Sequence, residues 1–299
     1  MTADERFARL ATEPMVPVGR GAGVAGTLRS FRTIFEHREM LGLLVRRDLK
    51  ARYKDSALGV VWALVRPLTQ LLIYYIVIGR FLGAERGIPE FAIYVFTGLT
   101  AYGLFAEIVN GGTSSIVGNS GLIKKIYLPR EIFPLASVGS ALFNFSLQLV
   151  ILIAATILLG SPPLTADLVY FIPAVLALVV FGTAFGILLS ATNVYLRDLQ
   201  YLVEVVMMIL LWASPVVYSW GMARDALGPG LALDVYTNNP ITLAVLGFQR
   251  AFWVAGAETA AYPADLMARL WIAVAVGIVL LAIFQRVFAR LQGNFAQAL

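Results

Sequence analysis

The pattern of apolar and polar residues predicts a helical protein that crosses a membrane six times. Each of six stretches has close to the twenty mostly apolar residues that a helix needs to cross a bilayer. These stretches comprise residues 58–82, 91–117, 135–159, 168–194, 201–218 and 270–288. We therefore expect an all-α polytopic membrane protein, with residues 58–299 forming a six-span domain.

A basic, amphipathic segment precedes the first predicted span. Cations alternate there with apolar residues, and they comprise Arg46, Arg47, Lys50, Arg52 and Lys54. At 100° per residue, Val45, Leu49 and Tyr53 fall on one face of a helix, and the cations fall mainly on the other. This predicts an amphipathic helix over residues 35–57 that lies in the headgroup layer, after a mobile tail over residues 1–34. The alternative is a cytosolic basic flank that only sets the topology.

The longest connection, residues 219–269, lies between the last two predicted spans and is largely apolar. Within it, Asn238, Asn239 and Pro240 form a typical helix start. The apolar helix predicted over residues 241–253 is too short to cross a membrane. We expect short re-entrant or interfacial helices in this region, which would form an external gate before the last span.

Composition excludes a soluble globular chain, because 59% of the residues are hydrophobic, 14% are charged and the mean hydropathy is +0.79. The net charge of +5 indicates contact with anionic lipid rather than with nucleic acid. Cysteine is absent and His37 is the single histidine, which argues against a metalloenzyme or a histidine-based catalyst. No short apolar segment with a cleavage site opens the sequence, so we expect no cleavable signal peptide.

Lysine and arginine predict the orientation. Seventeen of them lie before the first span, in the second and fourth connections and at the carboxyl end, against five in the opposite loops. By the positive-inside rule both termini are cytoplasmic.

Polar and aromatic residues within the first two predicted spans are candidates for lining a channel. The set comprises Trp62, Tyr74, Tyr75, Tyr102, Phe105, Glu107 and Asn110. Intramembrane polar groups are costly unless they are paired or hydrated, and aromatic rings suit the apolar faces of sugars. The alternatives are hydrogen bonds between helices and an aromatic belt that packs against lipid.

No P-loop sequence occurs, so ATP-driven transport would need a separate ATP-binding polypeptide. The basic connection over residues 119–134 is a candidate docking element for that partner. The alternative is ordinary positive-inside bias.

Five ordered segments resemble one family. They are RRDLKARYKDSALGVVWALVRP (46–67), GLIKKIYLPREIFP (121–134), NVYLRDLQYL (193–202), SPVVYS (214–219) and NNP (238–240). Together they resemble the permease subunit of type-2 ABC exporters of polysaccharides, the Wzm- and TagG-like group that exports O-antigen, galactan, capsule and teichoic acid. The resemblance covers residues 35–290.

The resemblance implies a homodimer in the plasma membrane with two ATP-binding subunits, which carry the ATP and magnesium, so that this chain has no cofactor of its own. It implies a polysaccharide substrate linked to a polyprenyl diphosphate. The residues that it places at the contact with the ATPase are Leu122, Lys124, Lys125, Tyr127, Arg130, Glu131, Arg197 and Asp198. The candidates for the cytoplasmic gate and the diphosphate are Arg46, Arg47, Lys50, Arg52 and Lys54.

Two other functions stay open from the sequence. A drug or small-lipid exporter of the same superfamily would share the fold and the partner. An integral membrane glycosyl- or phosphotransferase would need clustered acidic metal ligands in a loop. The acidic residues of the last external region are too dispersed for such a site, and they comprise Asp225, Asp234, Glu258 and Asp265.

Overall fold

The computed structural model describes residues 36–53, 61–125, 128–257 and 259–299. Over these residues the chain is helical, without a β-strand. Five helical segments of this described part are long and apolar enough to cross a membrane, and they run over Leu64–Phe81, Phe91–Gly118, Ile132–Leu158, Ala166–Tyr195 and Leu266–Leu291. The predicted all-helical membrane fold is therefore confirmed. The predictions for residues 1–35, Lys54, Tyr127 and Glu258 lie outside the described residues.

The helices are numbered in chain order. The first six are α1 (Arg38–Tyr53), α2 (Trp62–Tyr74), α3 (Phe91–Gly118), α4 (Ser120–Ile123), α5 (Ile132–Leu158) and α6 (Phe171–Tyr195). The others are α7 (Leu199–Trp212), α8 (Trp220–Leu227), α9 (Leu231–Thr237), α10 (Pro240–Phe252), α11 (Leu266–Leu291) and α12 (Phe295–Ala298). A π-helical segment, Tyr75–Phe81, continues α2, and 3-10 turns cover Ala84–Arg86, Ala166–Tyr170, Val254–Gly256 and Gln292–Asn294.

Helix α3 lies at the centre of the bundle because small residues let its neighbours approach closely. A Cβ atom added to Gly112 would lie 2.7 Å from the Cα atom of Gly186 in α6. A Cβ atom added to Gly182 of α6 would lie 2.9 Å from Cγ2 of Ile108 in α3. Such contacts between small residues are typical of helices packed in membranes, where close van der Waals contact holds the helices together. Helices α5, α10 and α11 pack with α3 and α6, and we call these five helices the packed body.

The predicted helix over residues 241–253 is present as α10, and nearly all of it is buried. The Asn239 side chain caps it, because its Oδ1 atom accepts a hydrogen bond from the Ile241 amide at 3.1 Å. Pro240 occupies the first turn, where its missing N–H leaves no hydrogen bond unmade. The position of α10 relative to a bilayer stays a prediction.

The fifth predicted span, residues 201–218, is longer than the helix that the structure contains. Helix α7 ends at Trp212 after 14 residues, about 21 Å at 1.5 Å per residue, which is less than the roughly 30 Å of a hydrocarbon core. Pro215 explains the end, since it has no N–H and disfavours a helical conformation in the preceding residue. Turns then lead from Ala213 to α8.

Helix α2 contrasts with the rest, because most of it lies outside the packed body. Only 6% of the span Leu64–Phe81 is buried. Its contacts include an edge-to-face pair between Tyr74 and Trp212 of α7, with ring centroids 6.2 Å apart. In the π-helical segment, Gly79 packs against Phe91, the first residue of α3. Helix α2 thus touches α7 and α3 while most of its surface stays open.

Candidate functional site

Helix α1 is fastened to the bundle by apolar packing near its middle. A Cβ atom added to Gly139 of α5 would lie 2.7 Å from Cγ2 of Val45, so the glycine leaves room for this helix. Leu44 is buried in an apolar cluster with residues of five other helices, including Ile116, Ile132 and Phe288. Leu44 and Val45 of the predicted amphipathic segment therefore pack against the protein itself.

Two arginines of α1 reach helix α3. The Arg47 guanidinium donates through Nη2 to Oδ1 of Asn119 at 2.6 Å, and it also pairs with Asp48 at 2.7 Å. The Arg52 guanidinium donates through Nη1 to Oε1 of Glu107 at 2.5 Å. Glu107 precedes Asn119 by twelve residues, about 18 Å along α3, so the later part of α1 lies nearer the middle of α3 than its earlier part does.

Glu107 receives a second donor from helix α5. The Asn144 amide donates through Nδ2 to the same Oε1 atom at 2.5 Å, and Asn144 is only 5% exposed. Arg52 and Glu107 are 47% and 26% exposed in their side chains. A buried amide therefore holds the carboxylate in place, while the guanidinium stays accessible from the open side of the bundle.

Further polar groups continue along the same two helices, and we call the set the polar seam. It comprises Glu107, Asn110 and Ser114 of α3 and Ser137, Asn144 and Gln148 of α5. The spacing of about one or two turns places each set on one helix face. The Ser137 hydroxyl donates to the Gly111 carbonyl at 3.0 Å, which ties the two helices together. Ser114 is exposed, so the seam borders an open surface of the chain.

Most of the basic candidates of α1 lie at the surface. Arg46, Arg47, Lys50 and Arg52 are all exposed, whereas Lys54 lies outside the described residues. Four cations within seven positions give this end of the chain a strongly positive surface. Arginine pairs bidentately with carboxylate and phosphate groups, so the surface suits an anionic partner.

The connection after α3 exposes some of its predicted contact residues and buries others. Helix α4 is a single turn, Ser120–Ile123, at the start of the predicted docking connection over residues 119–134. Lys124 and Lys125 are exposed, and so are Arg197 and Asp198 at the next turn on this side, whereas Leu122 is half-buried. These exposed residues are the part of the predicted contact set that a docking protein can reach.

Arg130 and Glu131 instead point into the chain. The Arg130 guanidinium donates to the backbone carbonyl of Gln292 and lies 5.4 Å from the centroid of the Phe295 ring. Glu131 is 5% exposed, and burial raises the pKa of its carboxyl, against the smaller opposing effect of hydrogen bonds to its own backbone and to Gln292. In this conformation they join the connection to the carboxyl end of α11, and a direct contact with a partner stays a prediction.

The aromatic candidates divide between the surface and the core. Trp62 is exposed, and Tyr74, Tyr75 and Tyr102 are half-buried. Phe105 is 4% exposed within the main core, because its position on α3 faces the neighbouring helices. Its ring therefore offers no surface to a channel in this conformation. The Tyr102 hydroxyl donates to the backbone carbonyl of Met207 in α7.

Helix α2 carries an open groove with polar lining. The groove has a volume of about 530 Å³ and is lined by Trp62, Val65, Arg66, Thr69, Gln70, Ile73 and Tyr74. The Gln70 amide donates to the Tyr74 hydroxyl at 3.2 Å. Arg66 and Thr69 are exposed although they lie within an apolar span.

Sequence reasoning missed a buried corner, which is formed by the turns over residues 213–219 that follow α7. The Tyr94 hydroxyl lies within hydrogen-bond distance of the carbonyls of Pro215 and Tyr218, at 3.0 and 2.6 Å, and the Gln249 amide also donates to Pro215 at 2.7 Å. Non-helical backbone in a membrane domain is stable where protein groups satisfy its carbonyls, and Tyr94 and Gln249 do so here. Pro215 was the one sequence signal for this corner.

Comparison with known proteins places the chain among transport permeases. Residues 39–253 match the family described as ABC-2 type transporter. An O-antigen export system permease from Myxococcus xanthus is 31% identical over 226 residues, which cover 76% of this chain and 85% of that protein. A permease of the same description from Klebsiella pneumoniae is 26% identical, covering 87% and 95%. A polysialic acid transport protein from Escherichia coli is 21% identical, covering 68% and 86%.

Proposed function

Since the chain belongs to the ABC-2 type transporter family, we propose that it is the membrane-spanning subunit of an ATP-driven exporter of polysaccharide. The observation that carries this proposal is the similarity to O-antigen export permeases over three quarters of the chain. Five long apolar helices agree with a permease. The ATP would be bound and hydrolysed by a separate subunit, because the sequence contains no P-loop.

The partner that we place against α2 and α7 is a second copy of the chain. Arg66 and Thr69 would face lipid in a monomer, which is unfavourable for polar groups. Two copies that meet through these helices would enclose the groove of α2 and its neighbouring aromatic residues. The polysaccharide would then pass between the copies, along Trp62, Tyr74 and Tyr75.

Both termini are cytoplasmic in this proposal, and α7 with the turns after it serves as a sixth crossing. The seven residues between α7 and α8 add length to its 14-residue helix. The excess of lysine and arginine before α2, in the connection after α3 and at the carboxyl end supports this orientation. Helices α8, α9 and α10 then lie on the external side as gate helices in the plasma membrane.

Two ATP-binding subunits would dock on the exposed cytoplasmic loops. Lys124 and Lys125 follow α4, and Arg197 and Asp198 precede α7, so the loops offer charges of both signs. Arg130 and Glu131 would act indirectly in this scheme, since they join the first loop to the end of α11. Movement of the docked loop would then reach the last helix through these contacts.

The basic surface of α1 would receive the diphosphate of a lipid-linked substrate. Arg46, Arg47, Lys50 and Arg52 are exposed there, and a guanidinium can pair with two phosphate oxygens at once. The polymer would enter from this end. Substrate binding and ATP binding would shift the populations of a closed and an open channel.

The test is reconstitution with the ABC ATP-binding protein that we expect a neighbouring gene to encode. We expect a complex of two copies of each protein that hydrolyses ATP and moves lipid-linked polysaccharide into proteoliposomes. A partner variant that binds ATP without hydrolysing it serves as the control for transport. A chain that purifies without any ATP-binding subunit would refute the exporter, and a complex that moves drugs or short lipids but no polymer would refute the substrate.

A further inference from the structure

We propose that Glu107 is a built-in competitor for Arg52, which a phosphate-bearing lipid displaces when it binds to α1. The carboxylate would hold Arg52 in the absence of ligand and release it when a phosphate group pairs with the guanidinium. Glu107 is thus a positioning residue that acts through Arg52. This inference rests on the proposed function and adds a regulatory step to its substrate entry site.

The geometry indicates that the Glu107 carboxylate is already held in place before a ligand binds. The Oε1 atom of Glu107 accepts from both Arg52 and Asn144 at 2.5 Å. Because Asn144 is buried and belongs to α5, it holds the carboxylate from the side of α5. The arginine is the exposed member of the group. When the pair separates, we therefore expect Arg52 to move and Glu107 to stay.

The depth of the pair explains why Arg52 needs a counter-ion. Glu107 is the seventeenth of 28 residues in α3, which is a membrane-crossing helix. A lone charge near the middle of a span is unfavourable, and a paired one is much less so. Arg52 can leave Glu107 at low cost only if another anion takes the place of the carboxylate.

Exposure makes that exchange possible. Almost half of the Arg52 side chain is exposed, so a ligand can reach the guanidinium while Glu107 still holds it. Arg46 and Lys50 are exposed on the same helix and add positive charge. A phosphate group pairs bidentately with arginine and carries more negative charge than one carboxylate when it is a diphosphate. It therefore competes well for Arg52.

The other contacts of α1 tell which end would move. The packing of Val45 against Gly139 and the burial of Leu44 fix the middle of the helix to the bundle. Arg47 holds the adjacent turn to Asn119 at the end of α3. The Arg52–Glu107 pair is one contact that fastens the last turn, so its exchange would loosen that turn while the rest of α1 stays docked.

The test uses the complete complex with its ATP-binding subunits in lipid nanodiscs. The probes are a fluorescent short-chain polyprenyl diphosphate, the matching uncharged polyprenol and phosphatidylglycerol as a competitor. We expect Glu107→Gln to raise the affinity for the diphosphate several-fold, because the neutral amide competes less for Arg52. We expect Arg52→Gln to lower it by roughly tenfold, as for the loss of one strong charged hydrogen bond. Polyprenol binding should not change.

Two variants keep the test decisive. Glu85→Gln removes the acid of an exposed pair with Arg80 at 3.8 Å and should leave diphosphate affinity at the wild-type value. Glu107→Asp keeps the charge but shortens the side chain, which weakens its contact with Arg52. It should therefore also raise the affinity for the diphosphate, and it takes the place of Glu107→Gln in the test if that variant does not fold. If Glu107 only stabilises the fold, its two variants should melt at a lower temperature without binding the diphosphate more tightly.

The possible failures are distinguishable. Unchanged or weaker diphosphate binding in both Glu107 variants overturns the competition. Equal competition by phosphatidylglycerol assigns Arg52 to ordinary anionic lipid and overturns the substrate step. A wild-type complex that exports no polysaccharide refutes the proposed function before any variant is compared.

Discussion

Helices α2 and α3 are both apolar enough to cross a membrane, yet their surroundings are opposite. Within the most apolar 18 residues of each span, 72% of the residues are buried in α3 and 6% in the span that begins in α2. Helix α3 has glycines where its neighbours cross it, whereas α2 presents bulky or polar side chains such as Leu72, Ile73 and Arg66. Hydropathy thus identifies both as spans, but the size and polarity of single residues decide which one packs within the chain.

The difference indicates what each helix needs. Close packing of small residues fixes α3 inside one chain. Polar groups on α2 are unfavourable against lipid, so this helix needs a second protein surface or a water-filled path. The four predictions that follow test whether the two regions differ in this way, from the largest expected effect to the smallest.

Filling the closest contact of the packed body should prevent folding. Leucine at position 112 of α3 would overlap the backbone of Gly186, which cannot move aside as a flexible side chain can. We expect Gly112→Leu to cost about 3 kcal/mol or more and to abolish a monodisperse peak in fluorescence-detected size-exclusion chromatography. Gly118→Leu is the control, since a Cβ atom there meets nothing within 4 Å. Equal yields and melting temperatures for the two variants would contradict the packing described for α3.

A single thiol can test whether α2 faces a second copy. The chain has no cysteine, so Ile73→Cys in α2 and Ile278→Cys in α11 each introduce the only one. The two isoleucines are matched, with 52% and 54% of their surface exposed. We expect a short bismaleimide to link most of the Ile73→Cys chains into dimers and almost none of the Ile278→Cys chains. Equal yields of linked dimer for the two variants would show that α2 does not form the interface between copies.

Much of the packed body follows from the sequence. The predicted span over residues 91–117 agrees with α3 within one residue, and the helix start at Asn239 and Pro240 is confirmed. These predictions succeed because long apolar runs and capping residues act locally. The resemblance to polysaccharide exporters is likewise confirmed by the matching family and relatives.

The parts that the sequence did not predict depend on contacts between distant residues. The helix of the fifth predicted span ends six residues earlier than predicted, since apolar composition continues past Trp212 while Pro215 ends the helix. The carbonyls freed there are bound by Tyr94 and Gln249, which no local pattern connects to Pro215. The pairing of Arg52 with Glu107, 55 residues away, was equally invisible.

The buried corner gives a smaller effect than the glycine contact. Tyr94→Phe removes the hydroxyl that bonds the carbonyls of Pro215 and Tyr218, at almost constant volume. We expect a loss of about 1–3 kcal/mol, seen as a lower melting temperature of the purified protein. Tyr201→Phe changes an exposed tyrosine of α7 and should leave melting unchanged. A Tyr94→Phe variant that melts like the wild type would show that these hydrogen bonds contribute little.

The smallest effect concerns the cytoplasmic end of the packed body, where burial raises the pKa of Glu131 above its usual value near 4.5. The folded chain then holds this proton more tightly than the unfolded chain, so stability falls as pH rises from the usual pKa through the raised one. Glu131→Gln has no charge to bury. We therefore expect the variant to melt above the wild type at pH 8 and together with it at pH 4.

Asp198→Asn provides the comparison for this titration, because Asp198 is exposed on the same side of the molecule. Because surface substitutions usually change stability little, this variant should melt close to the wild type. If the Glu131→Gln difference stays constant from pH 4 to pH 8, the amide has changed packing against Gln292 rather than removed a buried charge. A difference that grows with pH would show that the tight packing of α3 and its neighbours extends to the loop that we expect to receive the ATP-binding subunit.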